Sequence, residues 1–203
     1  MTGPDRLVGV LERARAVGLL GPGPVEVHLA HAEALVSLLG RIGVAPRVAL
    51  DLGSGGGVPG LILALGSPSS RWTLLDAAAR RTAFLEAAVR ELELDDRVQV
   101  VQGRAEVVGR DPQHRGRYDL VTARSFGPPA VTAECGAPLL RVGGWLAVSE
   151  PPEPAPERWP ARELAELGLE VVAQDSWMLA QQQMAAPEQV PRRDGIPRKR
   201  PRW

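Results

Sequence analysis

The stretch VALDLGSGGGVPGLILAL, Val48 to Leu65, constrains this chain more than any other. It opens apolar and β-branched, as a buried strand does, and reaches Asp51. It then turns on Gly53, Gly55, Gly56 and Gly57 and becomes apolar at helical spacing. Strand, glycine turn and helix make the first half of a nucleotide-binding βαβ unit. Glycines let the backbone take φ > 0 and let a ligand approach where a Cβ would stand. Pro59 suits the first turn of the helix, where a missing N–H costs nothing. The plain alternative is a tight turn in an α/β domain with no ligand.

Two ligand classes use such a turn. A dinucleotide puts its anionic pyrophosphate on the helix N-terminus, and the Asp51 carboxylate at the strand end would repel it. S-adenosylmethionine carries an ammonium and a sulfonium and no phosphate, so an acid beside the glycines suits it. The spacing Asp51-x-Gly53-x-Gly55-x-Gly57 resembles the first motif of class I methyltransferases. The spacing Gly55-x-Gly57-x-x-Gly60 also satisfies the dinucleotide pattern, so the acid decides the reading rather than the glycines. A second acid, Asp76, ends the next strand, 25 residues after Asp51. Ligands of open α/β sheets lie across the carboxyl ends of the strands. Asp76 there can accept both ribose hydroxyls, or can cap the following helix, as Asp also favours.

The rest of the chain repeats the alternation. Residues 5–20 and 24–43 read as two helices separated by the turn GPGP, the first with Leu7, Val10, Leu11, Ala14 and Val17 on one face. RWTLLD (71–76), RVQVVQG (97–103), YDLVTA (118–123) and GGWLAVSE (143–150) read as strands, with helices over 78–92 and 130–140. PPEPAPERWP (151–160) is a proline-rich connector. A short helix over 161–167 and a strand over 169–174 follow, and residues 177–184 are a further candidate strand. Such alternation means an α/β fold with a parallel-dominated sheet covered on both faces. The expected organisation is a small N-terminal helical cap (1–45), a cofactor-binding domain (46–190) and a basic C-terminal tail (191–203).

Composition sets the class. Hydrophobic residues at 44% and charged residues at 24% belong to a soluble globular chain. The single cysteine, Cys135, excludes an internal disulfide and a cysteine metal cluster, and suits a reducing cytoplasm. No apolar run approaches the roughly 20 residues of a membrane span, and the acidic N-terminus is not an export signal. His28 and His31 lie one turn apart near Glu33, but no further ligand motif accompanies them, so they read as helix-surface histidines and no metal is expected. Residues 191–203, PRRDGIPRKRPRW, carry six basic side chains and one acid, which leaves the body with 18 basic and 23 acidic groups. A basic tail on a mildly acidic body suits an anionic partner, and a solvated terminus is the alternative.

Three more positions could carry chemistry. Arg104, Ala105 and Glu106 follow the third strand, where backbone groups can read an adenine ring, although Arg104 also reads as a plain strand-end arginine. Arg124 stands immediately after the fourth strand, at the mouth of the crevice, where it can bind a carboxylate, a phosphate or guanine O6, or form a salt bridge. His114 lies in a polar loop and reads as solvated. No general base stands out. Methyl transfer to a ring nitrogen with a free lone pair, such as guanine N7, needs none.

The strings DLGSGGGVPGLILAL, LLDAAARRTAFLEAAVREL, QGRAE, VTARSFGPPAVTAECGAPLLRVGG and PRRDGIPRKRP resemble, in order and spacing, the small-subunit ribosomal RNA guanine-N7 methyltransferases, the RsmG or GidB family. The resemblance implies a Rossmann-like class I methyltransferase fold and S-adenosyl-L-methionine as cofactor. It implies ribosomal RNA or the small ribosomal subunit as partner, in the cytoplasm, with the enzyme a monomer that uses no metal or membrane. By motif, Asp51, Gly53, Ser54, Gly55 and Gly57 would line the methionine end of the cofactor, Asp76 the ribose, and Ala105 and Glu106 the adenine edge. Arg104 and Arg124 match the family's functional arginines, with Arg124 beside the cofactor as well, and Arg80 matches a basic position. The chain departs from the family in four places. Glu150 stands where the family has a lysine, which is expected to reverse a charge facing the RNA. Ser125-Phe126-Gly127 replaces Ala-Val-Ala, the N-terminal region is shorter, and it lacks the asparagine-leucine-threonine signature. A methyltransferase of another substrate and a non-catalytic RNA-binding paralogue are the open alternatives.

Overall fold

The computed structural model describes residues 3–153, 157–193 and 195–203. Met1, Thr2, three residues of the proline-rich connector (Pro154, Ala155, Pro156) and Asp194 of the basic tail lie outside the described residues. The chain forms two compact units, Met1–Gln102 and Gly103–Trp203.

The first unit is built on β1 (Val48–Leu52), β2 (Arg71–Asp76) and β3 (Val98–Gln102), all parallel, with β2 in the middle. Parallel strands covered on both faces need continuous apolar runs. VALDL and RWTLLD supply them: Leu50, Leu52, Leu74 and Leu75 are all but inaccessible to solvent. Helix α3 (Gly60–Gly66) follows β1, and α4 (Ala79–Glu91) follows β2 with Leu85, Ala88 and Val89 buried. The cap is α1 (Gly3–Ala16) and α2 (Val25–Arg41).

Helix α1 is shorter than its apolar pattern suggests. Gly18 takes φ 74°, and the Leu19 amide closes back on the Ala14 carbonyl at 2.8 Å. Val17, expected on the buried face, is therefore exposed. Residues 17–20 instead wrap onto the glycine turn: a Cβ added to Gly56 would meet Leu20 Cγ at 2.7 Å. Arg80, a surface charge by spacing, donates to the Val17 carbonyl at 2.8 Å and fixes this wrap to α4. Arg6 and Arg13 of α1 pair with Glu93 and Glu91 at the far end of α4.

The second unit contains α5 (Ala105–Val108), β4 (Tyr118–Ala123), α6 (Pro129–Gly136), β5 (Leu140–Ser149), α7 (Ala161–Ala165), β6 (Leu169–Gln174), β7 (Trp177–Gln182) and α8 (Ile196–Lys199). A 3-10 turn, Ala137–Leu139, joins α6 to β5. Strand β5 starts three residues before the expected Gly143, because Leu140 pairs with Tyr118 and the register then shifts before Leu120 meets Trp145. β4 and β5 are parallel, whereas β7 runs antiparallel to both β5 and β6. Parallel pairing prevails among the described strand pairs, three to two.

Candidate active site

The glycine turn is set by close packing as much as by ligand access. Gly53 and Gly55 take φ 74° and 54° and stay half-exposed, and nothing lies nearer than 3.8 Å to a Cβ built on Gly55. Gly57 is buried at φ 93°, and a Cβ there would strike Leu61 Cδ1 at 2.3 Å. Its glycine serves the turn into α3. Ser54 is buried and donates its hydroxyl to the Asp51 carbonyl at 2.9 Å, which closes the turn.

Asp51 is only 1% exposed, and its Oδ2 accepts from the Gly60 amide at 3.2 Å. A Cβ on Gly60 would lie 2.6 Å from the same oxygen. The protein's own carboxylate thus holds the place at the start of α3 where a dinucleotide would seat its pyrophosphate. A second anion there would meet a buried negative charge.

Asp76 comes to the same turn from the end of β2. Its Oδ2 accepts from the Gly55 amide at 3.0 Å, and its Oδ1 accepts from the Ala78 amide at 2.9 Å, with Arg81 Nη1 at 3.4 Å. The helix-initiating role and the ligand role are therefore compatible. A carboxylate has about four acceptor positions, so two backbone donors leave room for hydroxyls, and the Arg81 contact is the longest of the three. The turn, with its half-exposed glycines and two acids, fits a cationic, phosphate-free nucleoside.

In the second unit, Arg104 is exposed and reaches Glu106 Oε1 at 3.3 Å. Glu106 is buried, and the same oxygen accepts from the Gly195 amide of the tail at 3.1 Å. Its side chain is thus committed inside the unit, and an adenine contact at Ala105 and Glu106 falls to the backbone. Arg124 is half-buried directly after β4, and Ser125 beside it takes φ 53°. The loop ends where Thr132 Oγ1 donates to the Gly127 and Pro128 carbonyls at 3.2 and 3.1 Å.

Three expectations and one alternative reading need correction. His28 is not on the helix surface but 5% exposed. His114 is half-buried, with Nδ1 2.6 Å from the Tyr118 hydroxyl. Glu150 does not present a charge to a partner. Its side chain is fully buried, accepts from Trp159 Nε1 at 2.9 Å and ion-pairs with Arg158 Nε at 3.0 Å. The basic tail is not a solvated terminus. Arg192 forms a two-pronged pair with buried Glu134 at 2.8 and 2.6 Å, and Arg202 adds a contact at 3.4 Å. Burial pushes the Glu134 carboxyl up, but the Arg192 hydrogen bonds and charge outweigh it and hold it below its ordinary value. Arg115 donates to the carbonyls of Ala186, Pro187 and Val190, and Arg110 to those of Gln189 and Pro191. Burial, reinforced by Arg110, lowers the Arg115 pKa. One sequence signal could have found this docking: Glu134 is the one charged residue in the run PAVTAECGAPLL.

Among the described residues no group of three or more His, Cys, Asp and Glu could hold a metal ion, and no helix is long and apolar enough to cross a membrane. Solved structures share the fold. An O-methyltransferase from Bacillus cereus, in complex with SAH, superposes with a TM-score of 0.62 at 18% identity over 87% of this chain and 90% of its own. The SAH-bound methyltransferase PaMTH1 of Podospora anserina gives 0.60 at 15% over 87% of each. The chain thus has the Rossmann-like fold of class I methyltransferases. In sequence it is 39% identical to the ribosomal RNA small subunit methyltransferase G of Roseiflexus castenholzii over 78% of this chain and 72% of that protein. The relative of the same name from Symbiobacterium thermophilum is also 39% identical, over 88% and 79%. The GidB family model, described as rRNA small subunit methyltransferase G, matches residues 25–151, and the chain belongs to that family.

Proposed function

We infer that this chain is an S-adenosylmethionine-dependent methyltransferase acting on N7 of a guanine in small-subunit ribosomal RNA. Family membership across residues 25–151 supports the reaction class. The single observation that carries the cofactor is Asp51 at the start of α3, which favours a cationic ligand over a dinucleotide. S-adenosylmethionine, when bound, supplies an electrophilic methyl group on a sulfonium. Guanine N7 offers its lone pair without losing a proton, so the protein's work is to orient the acceptor and exclude water. In this reading Asp51, Gly53, Ser54, Gly55 and Gly57 form the methionine end, Asp76 accepts from the ribose, and the Ala105–Glu106 backbone reads adenine. Arg104 and Arg124 are the catalytic residues that hold guanine or a flanking phosphate, since a guanidinium offers two parallel donors to either. The exposed tail cations Arg193, Lys199 and Arg200 add phosphate attraction.

Calorimetric titration with S-adenosylmethionine, S-adenosylhomocysteine and NAD tests the cofactor, and methyl transfer to naked ribosomal RNA and to small subunits tests the substrate. Nucleoside mass spectrometry of ribosomal RNA from cells with and without this gene should show N7-methylguanosine only when the gene is present. Cofactor binding with an unchanged RNA methylation pattern would point to another methyl acceptor. Binding of NAD alone would end the methyltransferase reading.

A further inference from the structure

The C-terminal segment touches the two turns that carry Arg104 and Arg124. Arg110 and Arg115 lace residues 186–191 down through backbone carbonyls. Glu134 then takes Arg192 through three hydrogen bonds, one from its amide and two from its guanidinium. From that anchor the chain reaches two places. The Gly195 amide donates to Glu106 Oε1, the oxygen that also holds Arg104. Arg198, on α8, donates to the Phe126 carbonyl at 3.2 Å, two residues past Arg124. Pro197 is buried between these two contacts, and Trp203 Nε1 ties the end to the Arg158 carbonyl at 3.2 Å.

Glu134 holds Arg192 and Arg202 of the segment, and Glu106 holds Gly195 of the segment together with Arg104. Helix α6, which carries Glu134, begins directly after the Arg124 loop, and Glu106 opens α5 after the Arg104 turn. Both acids are buried, and both hold the segment rather than solvent cations. Anchors of this kind cost much to break, because a stranded buried carboxylate is left unpaired.

We propose that residues 186–193 and 195–203 form a clasp that positions the Arg104 turn and the Arg124 loop, with Glu134, Glu106 and Arg198 as its positioning residues. This rests on the methyl-transfer reading above. Small displacements of a positioned group lower rates steeply: about 1 Å can cost about a hundredfold. A loosened clasp therefore lowers the rate of transfer more than it lowers cofactor affinity.

The acids make the proposal separable from simple RNA attraction. Glu134→Gln and Glu106→Gln each remove a negative charge, so neither can weaken RNA binding through charge. The experiment compares the full-length wild type with both variants and Arg198→Ala by three measurements. Hydrogen–deuterium exchange of the free proteins should show faster exchange in Glu134→Gln at 192–203, and also at 104–106 and 125–128. S-adenosylhomocysteine affinity should fall by less than kcat does in Glu134→Gln and Arg198→Ala, because only the adenine contact of the 104–106 turn is loosened. The kcat for methyl transfer to small ribosomal subunits should fall at least about tenfold, with RNA affinity unchanged or tighter in the two glutamine variants. Faster exchange confined to 192–203 would overturn the clasp whether or not the wild type methylates RNA. Loosened turns with an unchanged kcat would overturn it too. If the wild type transfers no methyl group to any RNA, the function proposed above fails, while exchange at 104–106 and 125–128 still decides the clasp. Glu106→Gln, which keeps an acceptor for Gly195, is the milder variant should Glu134→Gln fold poorly.

Discussion

At the scale of single residues, the acids decide what the sequence alone could and could not show. Asp51 and Asp76 were legible because strand, glycine turn and helix fix where a strand-end side chain sits. Glu150 was not. Its partners Arg158 and Trp159 lie in a proline-rich stretch with no periodicity, so nothing in the pattern announced a buried pair. Replacing a paired buried carboxylate by a cation leaves Arg158 facing a like charge. Glu150→Lys is therefore expected to lower stability by about 3–5 kcal/mol, read as a drop in urea midpoint, and not to raise methyl transfer. A variant as stable as wild type would mean the pair is dispensable. Asp76→Asn keeps the shape of the turn and an acceptor for one amide. S-adenosylhomocysteine binding should weaken by about 1–3 kcal/mol, seen by calorimetry, and unchanged affinity would take Asp76 out of the cofactor site.

At the scale of elements, the joint between α6 and the tail titrates. The folded Glu134 carboxyl lies below its ordinary value of 4.5. A depressed carboxylate contributes stability that is fully present above the unfolded pKa and is lost as pH falls through the folded value. The wild type should therefore lose stability as pH drops below about 4.5, and Glu134→Gln should lack that component. Urea unfolding from pH 7 to pH 3 reads the difference, and parallel curves would show that the pair is not coupled to folding. The strands themselves were largely legible. β2, β4 and β6 have the bounds that their apolar runs suggest, because a run closed by Asp, Gly or Arg leaves little freedom. The misses are of another kind. α1 ends at Ala16 because Leu19 and Leu20 are needed at the glycine turn, and β5 begins at Leu140 because Tyr118 pairs there across an irregular register. Both are long-range demands that local periodicity does not encode.

At the scale of the whole molecule, the tail divides its charge between two tasks. The body carries 23 acids against 18 basic groups, so six cations at one end look like a ready polyanion handle. Two of them, Arg192 and Arg202, are turned inward onto Glu134. Arg193, Lys199 and Arg200 remain exposed, and Arg200 serves the fold only through its carbonyl, which accepts from Arg192. Truncation after Val190 removes both sets and strands Glu134 without its partner. Stability should then fall by about 3–5 kcal/mol, whereas a solvated terminus would leave it unchanged. Substituting Arg193, Lys199 and Arg200 together with glutamine separates the tasks. The urea midpoint should stay close to wild type, because none of the side-chain anchors of the tail is touched, while the salt dependence of RNA binding should flatten. Each lost phosphate contact lowers the slope of log K against log salt by about 0.7–0.9, so three lower it by about 2–3. Binding to a small-subunit RNA fragment measured from low to moderate salt gives that slope. A triple variant with the wild-type slope would assign the tail to the fold alone and place the RNA-binding charge elsewhere on the chain.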